Sequence, residues 1–75
     1  MNKEIQRVTS SPDIMLGKPV IKGTRITVEL ILTKLSEGAS EADIIKMYPN
    51  LIKEDILAAL SYSASVISKE ELIAS

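Results

Sequence analysis

The spacing of apolar residues changes at Thr27, and that change narrows the architecture more than any other feature of the chain. Before it, short aliphatic pieces are interrupted by Ser10-Ser11-Pro12-Asp13 and by Gly17, Pro19 and Gly23. After it, Val28, Ile31, Leu32 and Leu35 follow the i, i+3, i+4, i+7 template of an amphipathic helix. The leading segment therefore reads as extended or turn structure and the remainder as helices.

Within the leading segment, Ser11 precedes a proline and is pushed out of the helical region, and Asp13 can cap local amides. Short β-pieces are expected at residues 5–9, 19–21 and 25–27. Gly17 and Gly23 stand where the chain must turn, and Pro19 fixes φ and extends Lys18 before it. Lys22-Gly23-Thr24 makes a compact turn that feeds Arg25, Ile26 and Thr27 into the first helix. Gly17, Pro19, Gly23 and Thr24 are thus read as structural turn residues.

Helix boundaries are marked by their chemistry. Thr27 suits an N-cap, Glu29 lies in the first turn and Gly38 suits a stop. Ser40 caps a second helix, and Asp43 three residues later makes a short capping box. Ile44, Ile45, Met47 and Tyr48 supply its apolar face, and Pro49 ends it. A third helix starts near Lys53, with Glu54 and Asp55 at its positive end, and runs to about Ile67. Ser68-Lys69-Glu70-Glu71 reads as another capping box that starts a last short helix. The fold class is mainly α: a three-helix bundle with short N-terminal β-strands forming a hairpin. It is expected as one domain over residues 1–75, divided into an extended or hairpin part at 1–27, the bundle at 28–67 and a short helix or tail at 68–75.

A chain of 75 residues buries only about 60% of its unfolded surface, so its own core is marginal. There is no cysteine to staple it, and aromatic content is 3%, so the core must be aliphatic and thin. Association is one way to add buried area. The apolar and small residues of the third helix, from Ile56 to Ile67, cover an arc of roughly 220° at 100° per residue. A one-sided surface helix needs little more than about 100°. Ala59, Tyr62 and Val66 are read as the surplus face and, with Leu72 and Ile73, as a candidate protein interface. The alternative is that the N-terminal segment folds back over that face.

Histidine and cysteine are both absent, which removes the commonest general base, the thiol nucleophile and the usual zinc ligands. Glu54-Asp55 and Glu70-Glu71 are helix neighbours that point in different directions, so neither forms a dyad. The glycine-rich stretch lacks the G-x-x-x-x-G-K-[ST] order of a phosphate loop. No enzyme activity, metal or cofactor is expected. No apolar run approaches the roughly 18 residues of a membrane span, and the polar N-terminus has no secretory core, so a soluble, cytoplasmic protein with no membrane partner is expected.

Charge is divided along the chain. Residues 1–36 carry six cations against three carboxylates, and residues 37–75 three against seven. Lys18, Lys22 and Arg25 cluster around the turn and are candidate phosphate contacts, with Lys3 and Arg7 in support. Arg25 has a second reading, an internal ion pair with Asp13 or Glu29 or bonds to turn carbonyls.

The run "DIMLGKPVIKGTRITVELILTKLSEGASEADIIKMYPNLIKEDILAALSYSA" closely resembles domain-of-unknown-function family 433. The G-K-P-x-I-x-G-T-R-I core, the E-G helix stop, the Y-P break and the D-I-x-x-A-L run fall in the family's order, and the likeness covers about residues 5–64. Gly17, Lys18, Pro19, Ile21, Gly23, Thr24, Arg25 and Ile26 match its signature. The resemblance implies a homeodomain-like, helix-turn-helix-like three-helix domain, usually dimeric, from bacteria or archaea. Its members look like VapB-type antitoxins, often encoded beside a PIN-like ribonuclease. The chain departs from the family at Leu16, where many members have a second glycine, at Thr27, where proline is frequent, and at Ile52, where a hydroxyl N-cap is common. The Ile52 departure implies that the start of the third helix is held by packing rather than by a hydroxyl cap, and is prone to fray.

Three functions follow as expectations. The first is an antitoxin-like module that binds a PIN-like nuclease through the acidic half and the spare face of helix three. The second is a DNA-binding regulator acting on operator DNA, alone or as the same antitoxin. The third is a homodimeric or higher-order scaffold.

Overall fold

A computed structural model describes residues 6–74 of the chain, with side chains over residues 6–68. Two short strands, β1 (Val8–Thr9) and β2 (Val20–Ile21), pair antiparallel, with Val8 opposite Ile21 and Thr9 opposite Val20. Three helices follow: α1 (Val28–Ser36), α2 (Glu41–Met47) and α3 (Lys53–Ala74). The piece expected at 25–27 forms only an isolated bridge between Thr27 and Val20.

The core is aliphatic, as the composition requires. Ile21 from β2, Val28 and Ile31 from α1, Ile44 from α2, Leu51 from the α2–α3 connection, and Ile56 and Ala59 from α3 form one buried cluster. Helix α1 packs on α3 and on α2, while β1 packs on α3 and brings Val8 against the cluster. The hairpin is therefore part of the bundle's cover.

Local chemistry closes the elements where expected. Thr27 Oγ1 accepts the Leu30 N–H at 3.0 Å to start α1. The end of α1 is a Schellman motif: the Gly38 N–H donates to Leu35 O and the Ala39 N–H to Lys34 O, both at 3.0 Å. This closure puts Gly38 at φ 99°, a conformation any Cβ would oppose. At α2, Ser40 Oγ accepts the Asp43 N–H while Asp43 Oδ2 accepts the Ser40 N–H, the full reciprocal box. The turn after β2 is closed by the Thr24 N–H on Ile21 O at 2.9 Å, with Gly23 at φ 83° in its third position, where a type II turn needs positive φ. In the Ser-Pro-Asp turn the capping runs the other way from expectation: Ser11 Oγ accepts the Asp13 N–H.

Two boundary expectations are corrected. Helix α3 does not stop near Ile67. It continues through Ser68 to Ala74 as one element of 22 residues. No glycine or proline lies between Lys53 and Ala74 to break it, so Ser68 and Glu71 sit inside a helix whose amides already have partners. The start of α3 has no hydroxyl at Ile52, as expected, but it is not held by packing alone. Asp55 Oδ2 accepts the Ile52 N–H at 3.0 Å, the return half of a capping box supplied from the first turn.

Candidate interaction surfaces

Helix α3 decides most of the surface. Its core-facing side is Asp55, Ile56, Ala58, Ala59 and Tyr62: Ile56, Ala58 and Ala59 are wholly buried, Asp55 is buried, and Tyr62 is half-buried against the cluster. The face read as surplus is thus the one the bundle uses. Ala59 is a core residue, and Tyr62 is largely covered, because β1 and α1 pack on that side. Val66 lies on the same bearing one to two turns later and is 40% exposed, because the buried residues of α3 end before it. The side chains of Leu72 and Ile73 lie outside the described residues.

The apolar surplus is real but faces the opposite way. Leu57, Leu60, Ala64 and Ile67 are all exposed, and Ile67 reaches 55%. At about 100° per residue they fall within about 80° of one another, centred roughly opposite Ala58, Ala59 and Tyr62. Their spacing of three, four and three residues is that of a coiled-coil seam. Helical periodicity alone cannot say which half of an arc this broad turns inward.

The basic cluster is partly spoken for. Arg7 Nη1 donates to Asp55 Oδ1 at 3.2 Å, so this cation holds the hairpin to the start of α3. Lys18 Nζ donates to Glu29 Oε1 at 2.7 Å in an exposed pair, and its hydrogen bond and charge hold the Glu29 carboxyl below its ordinary value. Glu29 is therefore engaged by Lys18 rather than by Arg25. Lys22 and Arg25 are exposed, and among the described residues neither forms an ion pair. Lys3 lies outside the described residues.

A second apolar feature stands at the corner before β2. Met15, Leu16 and Gly17 follow one another with φ of 48°, 59° and 83°, a single left-handed turn closed by the Gly17 N–H on Ile14 O and the Lys18 N–H on Met15 O. Leu16 is 94% exposed and borders an open depression lined by Ser10, Ser11, Pro12 and Gly17. Left-handed backbone costs an L-residue about 1–2 kcal/mol. Among the described residues, no group of three or more acidic, histidine or cysteine side chains could hold a metal ion, and no helix is long and apolar enough to cross a membrane.

This fold and sequence have relatives. Uncharacterized protein y4eO of Sinorhizobium fredii is 39% identical over 56 residues, which is 75% of this chain and 25% of that protein, so the chain spans about a quarter of that relative's length. A crystal structure of a DUF433 member protein from Anabaena variabilis matches with a TM-score of 0.78 at 27% identity, over 92% of this chain and 69% of that one. The profile of the family described as "Protein of unknown function (DUF433)" matches residues 8–63, which takes in both strands, α1, α2 and the first half of α3. The chain belongs to that family.

Proposed function

We propose that this chain is a binding module, antitoxin-like in kind, whose working surface is the outward stripe of α3. The observation that carries the reading is the exposure of Leu57, Leu60 and Ile67 on the side of α3 away from the core. Single exposed aliphatics are ordinary, but several aligned on one helix mark a contact surface. The partner proposed from the family resemblance is a PIN-like ribonuclease in the same cytoplasm. Such an enzyme needs a basic groove for RNA, and the acidic half of this chain complements it. The reading needs no catalysis by the chain itself.

The test is co-expression with the product of the adjacent gene. Co-purification is expected, and Leu60→Glu, which places a charge in the stripe, should weaken it at least tenfold. Failure to co-purify, or full binding by the Leu60→Glu protein, overturns the reading.

A second reading, operator binding, is favoured by exposed Lys22 and Arg25 at the tip of the β2 turn. A dimer would offer four such cations, giving a salt slope near −3.6, at about −0.9 per phosphate neutralised. Recognition by the start of α3 is disfavoured, because Glu54 there is exposed and would face phosphates. Mobility-shift titrations at two salt concentrations test this, and binding that survives Lys22→Glu/Arg25→Glu removes the assignment.

A further inference from the structure

We propose that Arg7-Val8-Thr9, the segment containing β1, is a displaceable strap. The slot it fills between β2 and α3 accepts an extended segment of a partner protein that carries a cation followed by an aliphatic residue. This surface is separate from the outward stripe of α3 and does not depend on it.

The two strands of the hairpin are unequally built in. Val20 and Ile21 of β2 are buried, while Arg7 and Val8 are half-buried and Thr9 is exposed. Strand β2 is also held from its far side. The Ile21 N–H donates to Ile26 O at 3.0 Å, the Val28 N–H donates to Pro19 O at 2.9 Å, and Val20 bridges to Thr27. The strap is held by its two pairs with β2, by the Lys22 N–H on Arg7 O at 2.6 Å, by Val8 against the core cluster and by Arg7 on Asp55. Residues 10–19 separate the strands and close turns of their own, so β1 can leave without dragging β2 with it. A segment with little buried surface opens at a lower free energy than the whole fold.

Opening uncovers three recognition groups together. The first is the inner edge of β2, where Lys22 regains a free N–H and the ladder can pair with any extended chain. The second is the place of Val8 on the cluster that includes Ile21, Ile56 and Ala59, which an aliphatic side chain fills. The third is Asp55. Its side chain is only 8% exposed and its Oδ2 still holds the Ile52 N–H, but its Oδ1 loses Arg7. A carboxylate buried to that degree requires a replacement cation. Strand addition fixes the direction and register of the guest, so the cation must stand one residue before the aliphatic side chain. The chain's own Arg7-Val8 meets that rule and occupies the slot in cis.

Amide hydrogen exchange on the full chain tests the strap. The Lys22 N–H bonds across to Arg7, whereas the neighbouring Ile21 N–H bonds away from it. Lys22 should therefore be about tenfold less protected than Ile21. Equal protection means that β1 opens only with the whole fold and overturns the proposal. A labelled peptide spanning residues 6–12 probes the slot. It should bind the Arg7→Ala protein about fivefold more tightly than the unsubstituted chain, whose own strap competes. A peptide that itself carries the Arg7→Ala change should bind that protein about fivefold more weakly. Equal binding of the two peptides, or binding of neither, removes the slot. A doubled mass of the Arg7→Ala protein in sedimentation, with no peptide bound, puts a second copy's strap in the slot and overturns the partner segment. Leu60→Glu should leave peptide binding unchanged, so failure here is distinguishable from failure of the outward stripe.

Discussion

Arg7 and Asp55, 48 residues apart in sequence, are joined by a 3.2 Å hydrogen-bonded ion pair that ties the hairpin to the start of α3. The Asp55 side chain is only 8% exposed, and its second oxygen holds the Ile52 N–H. One carboxylate therefore caps the longest helix and anchors the segment that covers it.

Asp55→Ala should accordingly cost about 2–3 kcal/mol, the sum of a lost cap and a stranded partner. In a domain of this size that is a fall in Tm of about 10–20 °C. Asp55→Asn keeps an acceptor for Ile52 and should cost less. Arg7→Ala should cost about 1 kcal/mol or less, since the guanidinium is 42% exposed and water screens it. Thermal unfolding of the three proteins tests the order. Equal losses for Asp55→Ala and Arg7→Ala would show that the cap contributes nothing.

Leu16→Gly should stabilise the fold. The change relieves about 1–2 kcal/mol of left-handed strain and adds about 0.5–1 kcal/mol of unfolded-state entropy. A side chain 94% exposed has little burial to lose, so the net gain is about 0.5–1 kcal/mol. Denaturant unfolding reads this directly, and a lower midpoint would mean that Leu16 makes a contact its exposure does not reveal.

Acid should weaken the fold through two named carboxyls. Glu29 is lowered by its bond to Lys18 and that lysine's charge, and Asp43 by its bonds with the Ser40 backbone and side chain. Both folded values lie below the ordinary 4.5 and 3.8, so the unfolded chain binds more protons. Their contribution is complete above those values and is lost as pH falls through the lowered ones. Tm measured from pH 7 down to 3 should decline most steeply below about pH 4.5. Glu29→Gln and Ser40→Ala should each flatten part of that decline, and unchanged curves would remove these two groups from the account.

Legibility in the sequence followed the range of the interaction. The Thr27 cap, the Gly38 stop and the Ser40–Asp43 box each close within a few residues, and each stands where the residue types placed it. The punctuation by Pro12, Gly17 and Gly23 bracketed the two strands, which lie inside the pieces expected at 5–9 and 19–21. The inward side of α3 was not legible, because its apolar arc is too broad to point anywhere until Val8 and α1 choose a side. Spacing could not separate the two sides, because Asp55, Ala59, Tyr62 and Val66 on the inner bearing repeat at the same steps of three and four as Leu57, Leu60, Ala64 and Ile67. Asp55 looked like a dipole residue because its partner Arg7 is distant in sequence, and nothing local announces Met15 and Leu16 in left-handed backbone.

Because the packed part of α3 ends near Tyr62 while the helix runs on to Ala74, the rod is divided by duty. Its first half keeps the molecule in shape, and its second half is free of that obligation. Sequence drift past Tyr62 can change whom the protein meets without touching whether it folds.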